Sequence, residues 1–225
     1  MTTPLLFNGI LDTHATEAAK GLPQAYAAGI RAHFCKATEG KDFKDKGFLN
    51  AVKTSRQLGM LVGAYHFGSN SSSGTIQADF FLKTIEPVMG PDLLLVLDWE
   101  TNPNEIAGTM TLANARLFVQ RIKEKTGRWP IFYSYFAMLR SQILDPADVV
   151  GNCPLWMAAY GPNPLTTKPP KAWKDWSLFQ YTNGGAGPGD QNLYPRSVPG
   201  IGGCDRSVFR GSYEDLKKFW LGCGK

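Results

Sequence analysis

The sequence runs to 225 residues, of which 43% are hydrophobic and 19% charged, with a formal net charge of +5. The length suits one large domain or two small ones. The composition excludes a disordered chain, and no apolar run approaches the roughly 20 residues that cross a bilayer, so no membrane partner is expected. The basic balance favours a polyanionic target, but Lys and Arg are scattered without a basic helix or arm, so nucleic acid is not an expected partner.

The opening stretch, MTTPLLFNGILD, lacks the basic, apolar and cleavage regions of a secretory signal. Loss of a leader, another export route, or retention in the cytoplasm until a membrane pore opens are the expectations that follow. LLFNGIL at 5–11 reads as a first strand, followed by a helix around 16–28 that stops at Gly29. IRAHFCKA at 30–37 is a second strand, and a helix over 45–58 stops at Gly59. MLVGAYHF at 60–67 is a third strand, and a serine-rich loop leads to a helix near 74–86. LLLVLDWE at 93–100 is the fourth and most apolar strand, before a helix over 111–126 that stops at Gly127. WPIFYSY at 129–135, a short helix, PLWMAAYG at 154–161, WSLFQYT at 176–182 and CDRSVF at 204–209 complete the pattern. Late connections such as PNPLTTKPPK and GGAGPGDQ lose helical periodicity.

Strands separated by helices imply parallel pairing in an α/β fold, and near-continuous apolar strands imply a sheet buried on both faces. About eight strands suggest one irregular, TIM-like β/α barrel with a helix-poor last third, a single domain over residues 1–225. The cysteines, Cys35, Cys153, Cys204 and Cys223, are too widely spaced for a paired zinc pattern. Cys204 and Cys223 could bridge, but buried thiols fit equally well, since Cys35 sits inside an apolar strand.

In barrels of this class the site lies at the C-terminal strand ends. Standing there are Asp12 with His14, Lys36 with Thr38 and Glu39, Tyr65 with His66, and Asp98 with Glu100. Tyr133, Tyr135, Trp156, Tyr160, Gln180, Tyr181 and Asp205 occupy the later ends. Four acids, several aromatics and few cations on one face suit a sugar, because aromatic faces stack on sugar rings and carboxylates supply acid/base work. Asp98 and Glu100 are the sharpest signal: residues i and i+2 of a strand share a face, so both acids point into one pocket while Trp99 turns away. Two acids held close cannot both ionise freely, so one stays protonated to serve as an acid. Asp12 and Asp205 taken alone read as readily as caps or turn formers. His66 reads equally as a structural histidine. No His or Cys pair supports a metal among Asp12, His66, Asp98 and Glu100, so neither metal nor cofactor is expected.

Taken in order, GILDTHA at 9–15, KATEGKDFKD at 36–45, GAYHF at 63–67, LDWE at 97–100, WPIFYSY, LWMAAYG at 155–161, WSLFQYT and CDRSVFRG at 204–211 resemble the lysozymes of glycoside hydrolase family 25, which include many phage endolysins. The resemblance covers almost the whole chain. It implies an irregular β/α barrel that hydrolyses the β-1,4 bond after N-acetylmuramic acid in bacterial cell-wall peptidoglycan, without metal or cofactor, and acting as a monomer. It implies Glu100 as proton donor, Asp98 as the acid supporting participation of the sugar's N-acetyl group, and Asp12 and Asp205 as the other two acids. Tyr65, His66, Tyr133, Trp156, Tyr160 and Gln180 would line the sugar groove. The sequence departs from the family pattern at Leu11, one residue more than usual before Asp12, which reverses the strand's facing unless a bulge absorbs it. It departs again at Ser207, where asparagine is frequent. Two rival readings are a chitinase-like hydrolase, whose longer run of alternating acids is absent here, and a wall-binding module without catalysis.

Overall fold

The computed structural model describes residues 5–14, 18–104, 106–142 and 145–224. Ala15 of the first motif and the first two residues of the helix expected from 16 lie outside the described residues. In chain order the elements are β1 (Leu6–Thr13), α1 (Ala18–Ala27), β2 (Ala32–Glu39), β3 (Phe43–Lys44), α2 (Phe48–Gln57), β4 (Leu61–Phe67) and α3 (Gly74–Ile85). They continue with β5 (Leu93–Asp98), α4 (Leu112–Thr126), β6 (Ile131–Tyr135), α5 (Phe136–Ser141), β7 (Leu155–Ala158) and β8 (Leu178–Asn183). A small hairpin, β9 (Ser197–Val198) and β10 (Gly202–Gly203), precedes β11 (Asp205–Arg210) and α6 (Tyr213–Gly222). Local chemistry sets several of these ends. Ser73 and Thr111 cap α3 and α4 by accepting from the backbone N–H three residues on, and α4 stops at Gly127 in the left-handed region, φ 71°.

Eight strands close a barrel in the order β1-β11-β8-β7-β6-β5-β4-β2, with β2 pairing back onto β1. Pairing is parallel from β1 through β2, β4, β5, β6 and β7 to β8. The parallel pairing expected of strands separated by helices stops at β11, in the helix-poor last third, where the strand is antiparallel to both β8 and β1 and makes the barrel irregular. The physical reason lies in its connection. A parallel return needs a crossover that carries the chain back along the barrel, usually a helix; residues 184–204 supply only turns and the β9–β10 hairpin, so the chain comes straight back down. The last third is helix-poor between β7 and β11, but it closes with α6, which the sequence reading did not anticipate. Its signal is present: Ser212 and Asp215 form a capping box.

Alternation sorts the core into an inside and an outside. On β5, Leu94 and Val96 join the barrel interior, while Leu93, Leu95, Leu97 and then Trp99 pack under the helices with Phe81, Phe118 and Phe132. Inside the barrel Phe34 fills the axis, and Gly63 on the neighbouring strand makes room for it, since a Cβ there would lie 2.1 Å from the ring. At the end opposite the strand C-termini, α6 plugs the barrel. Trp220 Nε1 donates to the carbonyls of Val62 and Asp92, where β4 and β5 begin, and its ring lies 5.0 Å from Phe34. All four cysteines are buried and free, so Cys204 and Cys223 do not bridge.

Candidate active site

The strand C-termini converge on a pocket of about 180 Å³ lined by Asp12, Asp98, Glu100 and Asp205 together with Tyr65, Tyr133, Trp156, Tyr160 and Gln180. Asp98 ends β5, and Glu100 stands two residues on, with the buried Trp99 between them on the outer side. The Trp99 indole N–H donates to the Met110 carbonyl, which holds the turn that presents Glu100.

Asp12 and Asp205 arrive differently. Between Phe7 and Ile10 the pairing of β1 with β11 slips by one residue, so a bulge at Asn8–Gly9 shifts the strand's facing. From there Ile10 points into the barrel, Leu11 outward against α1, and Asp12 inward again. Asp205 begins β11 rather than ending it. It reaches the same rim because β11 runs antiparallel, and it sits directly opposite Asp12.

Gln180 organises the aromatic side. Its Oε1 accepts from the hydroxyls of Tyr133 at 2.7 Å and Tyr160 at 2.6 Å, and its Nε2 donates to Asp12 at 3.0 Å. Trp156 is buried, 4.4 Å from Phe34 and 4.9 Å from Tyr133, with its indole N–H on Ser207 Oγ. It forms the pocket floor, and Ser207 serves as its partner across the barrel. Tyr160 keeps 39% of its surface exposed and so presents the open aromatic face.

His66 is a correction. It lies outside the barrel and takes no part in the pocket: fully buried, it shares hydrogen bonds with Thr38 Oγ1 and Gln77 Oε1 and stacks on Phe118 at 4.9 Å. The reason is the pleat, which turns successive residues to opposite faces, so Tyr65 facing in puts His66 out. Burial lowers its pKa to about 4, which keeps the ring neutral. The pocket also contains Phe67 and Val96, which the sequence reading passed over. Each lies two residues from a candidate, Tyr65 or Asp98, and the same alternation points to both.

The electrostatics follow from the crowding. Glu100 is raised to about 7 by burial and by Asp205, against the pull of Lys36. Asp205 is raised to about 6 by burial, with His14 and its own backbone N–H opposing. Asp98 lies well above the ordinary carboxylate range through burial, Glu100 and Asp12, again opposed by Lys36. Asp12 is raised by burial and Asp205, while the Gln180 hydrogen bond works the other way. Lys36 lines the pocket and is held by Glu39 at 2.7 Å, with the Phe67 ring 4.8 Å away. One Asp98 oxygen, Oδ1, is buried without a hydrogen-bond partner. Among the described residues no cluster of His, Cys, Asp and Glu has the arrangement of a metal site. The pocket can therefore hold a proton on a carboxylate near neutral pH while carrying negative charge nearby, the pairing that glycoside cleavage uses.

Comparison with known proteins places this geometry in a family. Residues 14–190 match the family model described as glycosyl hydrolases family 25, and the chain belongs to that family. The match includes Asp98, Glu100 and Gln180, whereas Asp12 and Asp205 lie beyond its ends. The chain is 30% identical over 194 residues to the uncharacterized protein YegX of Escherichia coli, covering 85% of this chain and 64% of that protein. It therefore spans less than two thirds of that relative's length. It is 29% identical over 195 residues to lysozyme M1 of Streptomyces globisporus, covering 83% of this chain and 62% of that one. Among solved structures it is similar to the bacterial lysozyme of Streptomyces coelicolor, with a TM-score of 0.74, 26% identity and 99% of both chains covered.

Proposed function

We propose that this protein is an N-acetylmuramidase that hydrolyses the β-1,4 bond between N-acetylmuramic acid and N-acetylglucosamine in peptidoglycan, acting as a single catalytic domain. The observation that carries the proposal is the pairing, in one pocket, of a Glu100 that holds its proton up to about pH 7 with an Asp98 oxygen that lacks a partner. Family membership and the lysozymes among the similar proteins support the same substrate.

Glu100 donates its proton to the glycosidic oxygen as the bond to C1 breaks. The acetamido carbonyl oxygen of the same sugar attacks C1 and closes a five-membered ring. Its N–H, made more acidic by this attack, is held by Asp98, whose buried setting raises its affinity for that proton. Glu100, now ionised, takes a proton from water as the water opens the ring at C1. Burial and the nearby Asp205 hold the proton on Glu100 between turnovers, and Asp12 holds Gln180 through its hydrogen bond. Tyr160 offers its face to the sugar, and Gln180 fixes its hydroxyl.

Digestion of purified peptidoglycan by the wild type and by Glu100→Gln, with mass spectrometry of the new reducing ends, tests this. Reducing-end muramic acid from the wild type, reduced on the order of 10²–10⁴-fold in the variant, is the expected result. Reducing-end glucosamine would overturn the bond assignment. Wall binding without cleavage by the wild type would make this a binding module.

A further inference from the structure

The catalytic pocket continues past its carboxylates. Beyond Asp12 and Asp205 it opens into a second cleft of about 440 Å³ that shares those two residues and His14 with the first. One wall is α1, at Lys20, and the other is the β9–β10 hairpin, at Gly200, Ile201 and Gly203. These walls are fixed to each other. Helix and hairpin meet backbone to backbone, since a Cβ on Gly21 would lie 2.1 Å from the Gly200 carbonyl oxygen, and Gly200 itself turns at φ 84°. Leu22, Val198 and Ile201 pack in one cluster beneath the contact. The cleft is thus a built extension of the site, of a size that ligand pockets share.

Its charges are ordered along its length. The carboxylates Asp12 and Asp205 stand at the end shared with the catalytic pocket, beside His14, and Lys20 stands farther out, on the wall that the catalytic pocket does not reach. That order fits a substituent that is neutral where it leaves the sugar and carries carboxylates farther out. Muramic acid in peptidoglycan bears one: a lactyl group in amide linkage to a stem peptide, whose free carboxylates begin beyond the first residue. Resting on the muramidase reading above, we infer that this cleft receives the stem peptide and that Lys20 pairs with a peptide carboxylate. Lys20 acts here on substrate choice and takes no part in bond cleavage.

The experiment compares soluble tetrasaccharides whose stem-peptide carboxylates are either free or converted to amides, measuring kcat and KM for the wild type, Lys20→Glu and Lys20→Arg. An exposed ion pair replaced by a repulsion changes binding by roughly five- to tenfold. Lys20→Glu should therefore lower kcat/KM on the free-acid substrate by about that factor through KM, and stay within about twofold of the wild type on the amidated one. Lys20→Arg should restore the wild-type value. Equal losses on both substrates, or none on either, would overturn the inference. A wild type that cuts neither substrate would bring down the muramidase reading itself, an outcome distinct from any of these.

Discussion

The two ends of this barrel are built on opposite principles. At the mouth, Asp12, Asp98, Glu100 and Asp205 crowd together with raised pKa values, and one Asp98 oxygen goes without a partner. At the base, Trp220 stacks toward Phe34, and its indole N–H is shared between two carbonyls. A column of rings, Trp220 to Phe34 to Trp156 to Tyr133, runs from one end to the other with spacings of 5.0, 4.4 and 4.9 Å. The difference teaches where the fold stores its stability. Like charges held out of water destabilise the folded state, and the apolar base offsets that cost through buried aromatic area. Site and anchor share one core, Tyr133 and Trp156 packing in the same cluster as Trp220, and the division predicts that each can be disturbed without the other.

The largest effect that tests this division comes from the base. Trp220→Ala removes the plug and should cost about 3–5 kcal/mol, which lowers Tm by about 10 °C for a chain of this size. Thermal unfolding followed by circular dichroism reads the loss, and initial rates at 25 °C read the site. A pH–rate profile shifted along with Tm would break the separation between the two ends.

A neighbouring pair of residues sharpens the comparison at the mouth. Tyr65 lines the pocket and His66 lies outside the barrel, one residue apart on β4. His66→Ala leaves Thr38 and Gln77 without their partner and should cost about 2–4 kcal/mol, while kcat in the folded protein stays within about twofold. Tyr65→Phe should change stability by less than about 0.5 kcal/mol and raise KM several-fold. The reverse pattern would mean that β4 faces the other way.

The smallest expected effect is a pH dependence of stability. Glu100 titrates near 7 in the fold against an ordinary value of 4.5, so the folded chain binds a proton that the unfolded chain has already released. The stabilisation from that proton is complete below pH 4.5 and is lost as pH rises through 7. Glu100→Gln abolishes the loss. It should raise Tm at pH 8 by about 2–4 °C, near 1 kcal/mol once partial solvation is allowed for, and leave Tm at pH 4 unchanged. His66 works in the opposite sense: its pKa falls from 6.5 to about 4, so its contribution is full above 6.5 and is lost as pH falls through 4. A Tm gain for Glu100→Gln that is equal at both pH values would show that packing, and not charge, is responsible.

Much of this was legible in the chain itself. The run Leu93–Leu97 ending in Asp98 announces a buried strand with an acid at its functional end, and the i, i+2 spacing aims Glu100 the same way. Helix stops at Gly59 and Gly127 follow from left-handed backbone that other residues adopt at a cost. Local periodicity is enough for such features, because each depends on residues a few positions apart. His66 was the exception: whether a strand's polar residue meets the pocket or the helices depends on the facing of its neighbours.

The seam where β8, β11 and β1 meet was decided by tertiary structure. That β11 runs antiparallel, that a bulge at Asn8–Gly9 returns Asp12 to the interior, and that Asp205 then stands opposite it are consequences of barrel closure. So is the seating of α6 in the base, although its capping box is written in the sequence. Sequence alone determined which residues could carry the chemistry and which segments could form strands. The assembly of four acids into one pocket required the last strand to close the ring against the first, a contact spanning nearly the whole chain that no local pattern encodes.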